Sequence, residues 1–426
     1  MTPEIKQRIE QIRRREVPEG YVKKRKVVIP QQWGLPQIKD IASISSGSTP
    51  NRNNSEYWNG NIAWVTTGEL SSGHVNHTSE LITVKAVKET KMRIYPQGTL
   101  LMAMYGQGKT RGTVAILEID AAVNQACAAI TVKVGKSKFL FYQLKNSYQD
   151  IRKLSNTGNQ ENLNADIIKT YQVPWAPDEE QERISTILTT QDRVIELKEK
   201  RLAEKQRQKK YLMQQLLTGK KRLPGFSEEW KIKPLKKLTE KQKKKNHGFQ
   251  YRLVLSNSAQ HGIVSQDQEF DKEIASEERI DGYYVVIPGA FVYNPRISVT
   301  APCGPINVNE TGETGIMSPL YTVFTISSPQ ISQDFLKYYF QSSCWYKYVK
   351  GVANYGARHD RISISDGDFF DMPIPLPTKE EQNYISKVLS AADREIDLLR
   401  QDIEQEKQKK KALMQLLLTG IVRVKT

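Results

Sequence analysis

The sequence predicts an α+β protein in which two globular α/β domains are separated by two long antiparallel helices, a coiled coil, with a pseudo-two-fold internal repeat. Three observations predict this. Nearly the same eleven residues occur twice, KKYLMQQLLTG at 209–219 and KKALMQLLLTG at 410–420. The residues before each copy have the heptad spacing of a coiled-coil helix. A chain of 426 residues exceeds one ordinary core and leaves room for two domains of about 150 residues.

The duplication covers the whole of each long helix. Residues 179–219 match residues 380–420 without a gap, at an offset of 201 positions, which indicates an internal duplication. Pro177 and the acidic residues after it are typical of a helix start, and Gly219 is typical of a helix end. About forty residues at a rise of about 1.5 Å make a helix of about 60 Å. Because each helix has an apolar stripe to bury, we predict that the two pair antiparallel.

The predicted pairing seam consists of apolar side chains spaced alternately by four and three positions. These candidates for helix pairing and subunit docking are Ile184, Leu188, Ile195, Leu202, Leu212, Leu216, Ile385, Leu389, Ile396, Ile403, Leu413 and Leu417. Charged residues interrupt the seam at the same level of both copies, namely Lys205, Lys209, Glu406 and Lys410. This level is either a solvated part of the coiled coil, or a place where the helices splay or face another partner.

Upstream of the long helices, the two halves share the order of their elements more than their sequence. Each half has a Trp with a short amphipathic stretch (33–38, 230–235), a glycine-led apolar strand (98–105, 289–294), an aromatic helix (138–144, 334–340) and a glycine loop (156–160, 354–361). The predicted domains are an N-terminal basic helix and linker at 1–30, globular domains at 31–176 and 223–376, and helical spacers at 177–222 and 377–426.

The charge of the chain favours a polyanionic partner. The net charge is +16 and the pI is near 9.4, which suits nucleic acid or an anionic membrane surface. No apolar run approaches the roughly 20 residues that span a bilayer, and the N-terminus lacks the apolar core of a signal peptide. We therefore expect nucleic acid as the partner, no membrane, and a cytoplasmic location. Cys127, Cys303 and Cys344 are far apart, which argues against a disulfide framework or structural zinc.

Polar loops supply the candidate DNA contacts. SSGSTPNRNNSEYW (45–58) and YGQGKTRG (105–112) lie in the first domain, and YNPRIS (293–298) and NYGARHDR (354–361) lie in the second. Asn and Arg can bind adenine and guanine edges, and Ser and Thr can bind phosphates, although a polar surface loop is the plain alternative. The candidate residues are Ser46, Ser48, Thr49, Arg52, Asn53, Asn54, Tyr57, Thr67, Gln107, Lys109, Arg111, Asn159, Gln160, Asn257, Asn294, Arg296, Ser298, Tyr355, Arg358, His359 and Arg361.

Motifs for catalysis are missing from the sequence. HExxH, Walker A and GxSxG do not occur, and no His–Cys cluster has the spacing of metal ligands. Ala103 stands where a phosphate-binding GxxxxGK[ST] loop requires glycine. Asn294-Pro295-Arg296 resembles the NPPY motif of adenine methyltransferases but lacks its second proline and its aromatic residue. We therefore predict no catalytic residue, no metal site and no cofactor bound by this chain.

The chain resembles the specificity (S) subunits of type I restriction–modification enzymes. The likeness is carried by GSTPNRNNSEYWNGNIAWVTTGEL (47–70), by VPWAPDEEQ and IPLPTKEEQ where the long helices begin, and by the two LMQxLLTG helix ends. YYVVIPGAFVYNPR and GIMSPLYTVF look like a variant of the same domain in the second half. Residues 1–30 depart from the pattern.

The resemblance implies a non-catalytic subunit that recognises DNA. Each globular domain is then a target-recognition domain that reads one half of a bipartite, asymmetric double-stranded target, and the helices set the gap and dock two modification (M) subunits. Those subunits methylate adenine N6 with S-adenosylmethionine, and two restriction (R) subunits act with ATP and Mg²⁺. The alternatives are a self-sufficient DNA adenine methyltransferase or nuclease, and a non-catalytic coiled-coil structural protein. Replacing Lys205, Lys209 and Lys410 with Ala is expected to weaken assembly or DNA affinity.

Overall fold

The structure, a computed structural model, describes residues 2–106, 108–154, 162–266, 277–353 and 360–424. The chain divides into two compact units. The first unit is Met1–Lys198 with Asp402–Thr426, and the second is Glu199–Gln401. Each unit therefore combines one globular domain with the first half of one long helix and the second half of the other.

The first unit contains ten strands among its described residues. They are β1 (Tyr21–Lys24), β2 (Val27–Pro30), β3 (Ala42–Ser46), β4 (Trp58–Val65), β5 (His74–Val75), β6 (Glu80–Ile82), β7 (Leu100–Ala103), β8 (Val114–Leu117), β9 (Ala121–Val123) and β10 (Cys127–Val132). Its helices are α1 (Pro3–Arg13), α2 (Ile38–Ile41), α3 (Val84–Glu89), α4 (Ser137–Asn146), α5 (Tyr148–Lys153), α6 (Ala165–Thr170) and the first part of α7 (Asp178–Leu216). Short 3-10 helices are Ser55–Tyr57 and Thr67–Ser72.

The central sheet of the first unit has the order β3-β10-β7-β8-β5, and a second sheet has the order β6-β4-β9. The predicted apolar strand at 98–105 is β7, which lies in the middle of the five-stranded sheet and is buried on both faces. That burial explains its continuous apolar run. The aromatic helix predicted at 138–144 is α4, and it buries six consecutive residues.

The N-terminal segment differs from its prediction. We predicted a basic helix and a linker over residues 1–30, and the helix is present as α1. The rest of the segment is an antiparallel hairpin of β1 and β2. Its Tyr21 hydroxyl donates to the Gly420 carbonyl at 2.7 Å, so the hairpin packs on the end of the second long helix. The pairing of β1 with β2 and the long-range contact of Tyr21 order a basic stretch that we predicted to be a linker.

The second unit also contains ten strands among its described residues. They are β11 (Lys231–Pro234), β12 (Thr239–Lys241), β13 (Leu255–Ser258), β14 (Gly262–Ser265), β15 (Tyr284–Val286), β16 (Phe291–Tyr293), β17 (Ile306–Val308), β18 (Gly315–Met317), β19 (Thr322–Ile326) and β20 (Pro373–Leu376). Its helices are the last part of α7, α8 (Gln333–Gln341), α9 (Tyr346–Val352), α10 (Asp366–Phe370) and the first part of α11 (Lys379–Leu418). Short 3-10 helices are Leu235–Lys237, His247–Phe249 and Glu277–Gly282.

The two units share one sheet topology. The four-stranded sheet of the second unit has the order β12-β19-β16-β17, which corresponds to β3-β10-β7-β8 in the first unit. The predicted strand at 289–294 is β16 and the predicted aromatic helix at 334–340 is α8. The Trp that begins each half has the same contact, because Trp33 packs edge-on against Phe139 and Trp230 packs edge-on against Phe335. The repeat predicted from the order of elements is therefore a repeat of the fold.

The long helices pair antiparallel in each unit, as predicted. In the first unit Lys198 contacts Asp402 at 2.7 Å while Asp192, earlier on α7, binds Lys410, later on α11. In the second unit Lys205 contacts Glu395 at 2.9 Å. Residue numbers that increase along one helix thus face residue numbers that decrease along the other, as in an antiparallel pair.

The ends of the predicted seam belong to the globular cores. Ile184, Leu188 and Leu417 are buried in the hydrophobic core of the first unit, and Leu216, Ile385 and Leu389 are buried in that of the second. The remaining seam residues divide into buried and half-buried ones. Ile195, Ile396 and Ile403 are buried, whereas Leu202, Leu212 and Leu413 are half-buried. Each long helix is therefore also a core element of a domain.

The charged level of the seam is a layer of ion pairs between the two long helices. Lys205, Lys209 and Lys410 form ion pairs with Glu395, Asp393 and Asp192 across the helix pair. The Lys209 and Lys410 side chains are only 19% and 15% exposed. The seam thus continues as a layer of paired charges, because long lysine stems cover apolar surface while their ends reach a carboxylate. Alanine at these positions removes interhelical pairs, so weaker assembly alone would not identify a partner surface.

Glu406 is the acidic residue of this layer. Its carboxylate accepts hydrogen bonds from Lys198 at 2.8 Å and from Gln191 at 2.6 Å. These hydrogen bonds, of which that from Lys198 has the larger effect, lower the pKa of Glu406 to about 2. The group is therefore ionised throughout the physiological range.

Candidate nucleic-acid interface

The first candidate loop, residues 45–58, is fastened to the sheet of its domain. A Cβ at Gly47 would lie 1.7 Å from the Val123 carbonyl oxygen, so only glycine permits this close approach. The Ser48 amide donates to that carbonyl at 3.0 Å. The Trp64 indole N–H donates to the Ser48 carbonyl at 3.1 Å, and the Thr49 hydroxyl donates to the Gln125 side chain. The loop is thus held in place by the domain.

Arg52 is the most strongly oriented side chain of this loop. Its guanidinium donates to both carboxylate oxygens of Glu80, with the second contact at 3.0 Å. It also lies over the rings of Trp58 and Trp64, at 4.1 and 5.0 Å from their centroids. The hydrogen bond to Arg52 lowers the pKa of Glu80. The Arg52 side chain is 53% exposed, so those of its N–H groups that do not bond to Glu80 are candidates for binding guanine or phosphate.

The other candidates in this region differ in exposure. The Asn54 side chain accepts from the Glu56 amide at the start of a 3-10 helix, and the Tyr57 hydroxyl donates to Glu89 at 2.7 Å. Those two side chains therefore stabilise the loop. The candidates that remain exposed are Ser46, Thr49, Arg52 and Asn53, while Ser48 and Thr67 are half-buried.

The two basic residues of the second candidate loop, residues 105–112, differ in their exposure to solvent. Lys109 is exposed, and its carbonyl accepts from the Tyr148 hydroxyl at 2.7 Å. Arg111 is only 7% exposed, which does not fit the expectation that its side chain reaches phosphate or base. The chain turns inward here because Gly112 donates to the Ala103 carbonyl at 2.8 Å. Gln107, Asn159 and Gln160 lie outside the described residues.

In the second domain the structure brings two arginines from distant segments together. Arg296 and Arg361 stand opposite each other in an antiparallel β-bridge. The Ile297 amide donates to the Asp360 carbonyl at 3.1 Å, and the Ile362 amide donates to the Pro295 carbonyl at 3.0 Å. Arg296 and the nearby Ser298 are exposed. Tyr355, Arg358 and His359 lie outside the described residues.

Two predicted contact residues of the second domain are buried. Asn257 is 2% exposed and donates to the Val292 carbonyl at 2.7 Å. Asn294 is 8% exposed and donates to the Asn257 carbonyl at 3.0 Å. A buried amide has to satisfy its hydrogen bonds inside the protein, and here it does so with backbone carbonyls. These two residues hold the β13–β14 hairpin and the loop after β16 in the fold, so they are corrected from base contacts to internal supports.

Sequence reasoning missed the residues that orient Arg52. Glu80 is 28 positions away in the chain, and no local pattern connects it with the loop. Trp58 lies within the candidate loop 45–58, but its ring reaches the Arg52 guanidinium because the chain turns at Ser55–Tyr57. The adjacency of Arg296 and Arg361 was likewise invisible, because the pairing of two loops leaves no periodic signal.

The beginning of each long helix is tied to the end of the other by a buried carboxylate. Glu180, 2% exposed, accepts from Arg423 Nε at 2.7 Å and also from Arg423 Nη2. Glu381, 1% exposed, accepts from Arg222 at 2.7 and 2.8 Å and from the Trp230 indole at 2.9 Å. Both glutamates and both arginines are 201 positions apart. Arg222 is the last of three consecutive basic residues, 220–222, and its charge is paired within the fold.

Within the described ranges, no group of three or more His, Cys, Asp or Glu side chains has the arrangement of a metal site. No helix in the part of the chain that the structure describes is long and apolar enough to cross a membrane.

Comparisons with known proteins agree with this architecture. The family model of the type I restriction modification DNA specificity domain matches residues 30–206. The type I restriction enzyme MjaIX specificity subunit of Methanocaldococcus jannaschii is 34% identical over 178 residues, which is 40% of this chain and 40% of that protein. The MjaVIII specificity subunit of the same organism is 24% identical over 423 residues, 93% of this chain and 94% of that protein.

The fold also has a match among solved structures. A chain from a structure of a type I R-M system superposes with a TM-score of 0.59 at 15% identity, covering 92% of this chain and 99% of that one. At this identity the match concerns the fold, and it includes both halves of the chain.

Proposed function

We propose that this chain is the DNA-recognition subunit of a type I restriction–modification complex and carries no catalytic site, because the DNA specificity domain model matches residues 30–206 and specificity subunits resemble it in sequence. Each globular domain reads one half of a bipartite target in double-stranded DNA. The long helices set the gap between the half-sites. The observation that carries this proposal is the contrast between two like helix junctions and two unlike sets of exposed polar side chains.

The unlike side chains support an asymmetric target. The first domain offers a guanidinium oriented by Glu80 and two Trp rings, and the second offers Arg296 beside Arg361 on paired backbone segments. Direct readout depends on the placement of a few donors and acceptors against base edges. Two domains with the same fold and different donors therefore recognise different base sequences.

The charge of the chain supports binding to the DNA backbone. A net charge of +16 provides a surplus of cations that can neutralise phosphates. Each neutralised phosphate releases condensed counterions, so affinity falls steeply with salt. A structural coiled-coil protein without a nucleic-acid role would show no such dependence.

The catalytic chemistry belongs to partner subunits in this proposal. Two modification subunits dock on the helix pair and methylate adenine N6 with S-adenosylmethionine, and two restriction subunits act with ATP and Mg²⁺. The recognition subunit works with them in the cytoplasm. Two partner copies suit a chain that presents the same helix junction twice.

The decisive experiment is a methylome. The chain is expressed with the modification subunit encoded beside it in a host free of adenine methylation, and N6-methyladenine is mapped by single-molecule sequencing. A split motif, with two unlike half-sites and a constant unread gap, is the expected result. A contiguous motif would overturn the two-reader proposal. Methylation by this chain alone would favour a self-sufficient methyltransferase.

Substitutions then connect each half-site with its domain. Arg52→Ala should relax one position of one half-site, and Arg296→Ala one position of the other, each by about 1–3 kcal/mol of discrimination. Arg193→Ala is the matched control, because Arg193 is exposed on α7 and pairs with Glu196 of the same helix turn. Relaxation of both half-sites by either recognition variant would contradict the division of labour.

A further inference from the structure

A cluster of three side chains joins the first globular domain to both long helices. The Tyr142 hydroxyl, on α4, donates to Asp192 Oδ2 on α7 at 2.7 Å. The other carboxylate oxygen of Asp192 binds the Lys410 ammonium on α11. That ammonium lies 5.7 Å from the centroid of the Tyr142 ring. One carboxylate thus connects a domain helix with the helix pair.

The second unit contains the same cluster. The Tyr338 hydroxyl, on α8, donates to Asp393 Oδ2 on α11 at 2.9 Å. Asp393 Oδ1 binds the Lys209 ammonium on α7. The ammonium lies 5.6 Å from the centroid of the Tyr338 ring. We call each of these Tyr–Asp–Lys sets a clamp.

Both halves contain the clamp although the sequences of the domain helices that carry its tyrosines differ. Both Asp residues and both Lys residues are 201 positions apart, as the rest of the long helices is. The two Tyr residues are 196 positions apart, in domain helices that read SKFLFYQLKN and QDFLKYYFQ. The shared pattern there is Phe-Leu-x-Tyr. Divergence of the domains has therefore left the tyrosine that contacts the long helix.

The charged partners in each clamp are partly shielded from water. The Lys410 and Asp192 side chains are 15% and 27% exposed, and those of Lys209 and Asp393 are 19% and 34% exposed. Burial raises the pKa of both tyrosines, with the neighbouring aspartates adding to the effect. The hydroxyls therefore stay protonated and remain donors. Hydrogen bonds to a charged acceptor are about twice as strong as those between neutral groups.

A second contact fixes the direction of each domain helix. The Gln181 side chain accepts from the Lys136 amide at 2.9 Å, at the start of α4. The Gln382 side chain accepts from the Ser332 amide at 2.7 Å, at the start of α8. Gln181 and Asp192 are separated by about 16 Å along α7 at 1.5 Å per residue. Together with the core packing of the long helix, the two polar attachments define the orientation of the domain on that helix.

We propose that the two clamps are positioning devices that hold each recognition domain in one orientation on its helices, and so restrict the complex to one gap length between half-sites. This inference rests on the proposed function, because gap length is a property of a split target. The clamp residues position the domains and do not contact bases. Loosening one clamp should let its domain accept neighbouring gap lengths.

The test uses the full chain with its modification subunit and the variants Tyr142→Phe and Tyr338→Phe. Phenylalanine keeps the ring against lysine and removes only the hydroxyl. Tyr339→Phe is the matched control for Tyr338→Phe. Tyr339 is on α8, as Tyr338 is, and its hydroxyl donates to the Pro373 carbonyl at 3.3 Å rather than to a long helix. The readout is methylated fraction at motifs whose gap is one base pair shorter or longer than that of the wild type.

The expected result is that discrimination between the correct gap and its neighbours falls about tenfold in Tyr142→Phe and Tyr338→Phe, which corresponds to about 1.4 kcal/mol, and is unchanged in Tyr339→Phe. A role in stability alone would lower methylation equally at every gap. An unchanged ratio between gaps would overturn the inference while leaving the split motif, and thus the proposed function, in place.

A second measurement does not depend on methylation. Spin-labelled unnatural amino acids are placed at Leu320, 56% exposed in the second domain, and at Leu398, 66% exposed on α11. Their distance distribution should broaden in Tyr338→Phe and stay narrow in Tyr339→Phe. If the wild type lacked a split motif, the proposed function would fail, and this distribution would still decide whether the clamp orients the domain. A narrow distribution in Tyr338→Phe would overturn the inference.

Discussion

The helix junctions of the two halves share a buried glutamate–arginine pair, whereas their exposed loops differ. Glu180 with Arg423 corresponds to Glu381 with Arg222 in sequence spacing, burial and geometry. The exposed arginine of the first domain is stacked on Trp rings, while Arg296 of the second stands beside Arg361 on a backbone bridge. A duplicated chain has thus kept the contacts that join domain to helix and changed the side chains that face outward.

The sheets of the two units are partly alike. Both units have the same four-strand order, yet the first adds β5 and a second sheet with β4 at its centre. The second sheet packs in hydrophobic clusters separate from the one that contains the long-helix residues. In the proposed function, the shared junctions serve the role that the two halves have in common, and specificity comes from the side chains that differ.

The largest expected effect breaks the equivalence of the two cores. Leu188→Ala and Leu389→Ala each remove a fully buried side chain at matching positions of the long helices. Each should lower the free energy of unfolding of its own unit by about 4 kcal/mol, from lost burial and the cavity left behind. Native-state hydrogen exchange of amides in α4 and α8 measures the two units separately.

The controls for these variants are Leu197→Ala and Leu398→Ala, also a matching pair, which are 49% and 66% exposed. They should change stability by no more than about 0.5 kcal/mol. Equal losses in buried and exposed pairs would mean that the helices do not complete the domain cores.

A smaller effect is expected at the buried carboxylates. Arg222→Met should destabilise the second unit by about 3 kcal/mol, because it leaves the Glu381 carboxylate buried without its cation. Arg423→Met should do the same to the first unit through Glu180. Urea unfolding combined with hydrogen exchange gives both values. Restoration of stability by adding Glu381→Gln to Arg222→Met, and Glu180→Gln to Arg423→Met, would confirm that the stranded charge is the cause.

The smallest effect distinguishes the helix pairing of the two units. Glu406 has no acidic counterpart, since the position 201 residues earlier is Lys205. Its pKa of about 2 lies below its ordinary 4.5. Its stabilising contribution is therefore complete above about pH 4.5 and is lost as the pH falls toward about 2. The stability difference between wild type and Glu406→Gln should shrink over that range.

Glu404→Gln serves as the control for this pH dependence, because Glu404 is exposed on the same helix turn. Urea midpoints measured at several pH values between 6 and 3 compare the three proteins. A difference between wild type and Glu406→Gln that stays constant with pH would contradict the assigned ionisation.

Much of the fold could be predicted because its signals are local. Periodicity located β7, β16, α4, α8 and both long helices, and the repeat indicated their common arrangement. The hairpin of β1 and β2 was missed because a basic stretch without strong alternation is ordered by its contact with Gly420. The candidate sites were predicted less well. Composition identified polar loops, but burial turned Asn257 and Asn294 into internal supports.

The sequence by itself determined the duplication, the two long helices, the element order of each half and the family likeness, since all of these follow from repeats and spacing along the chain. The tertiary structure alone decided which charges are paired, which polar residues are exposed and which tyrosine meets which aspartate. These depend on residues tens to hundreds of positions apart, as Tyr142 depends on Asp192 and Lys410. Such contacts arise from packing in three dimensions, and packing leaves no period in the sequence.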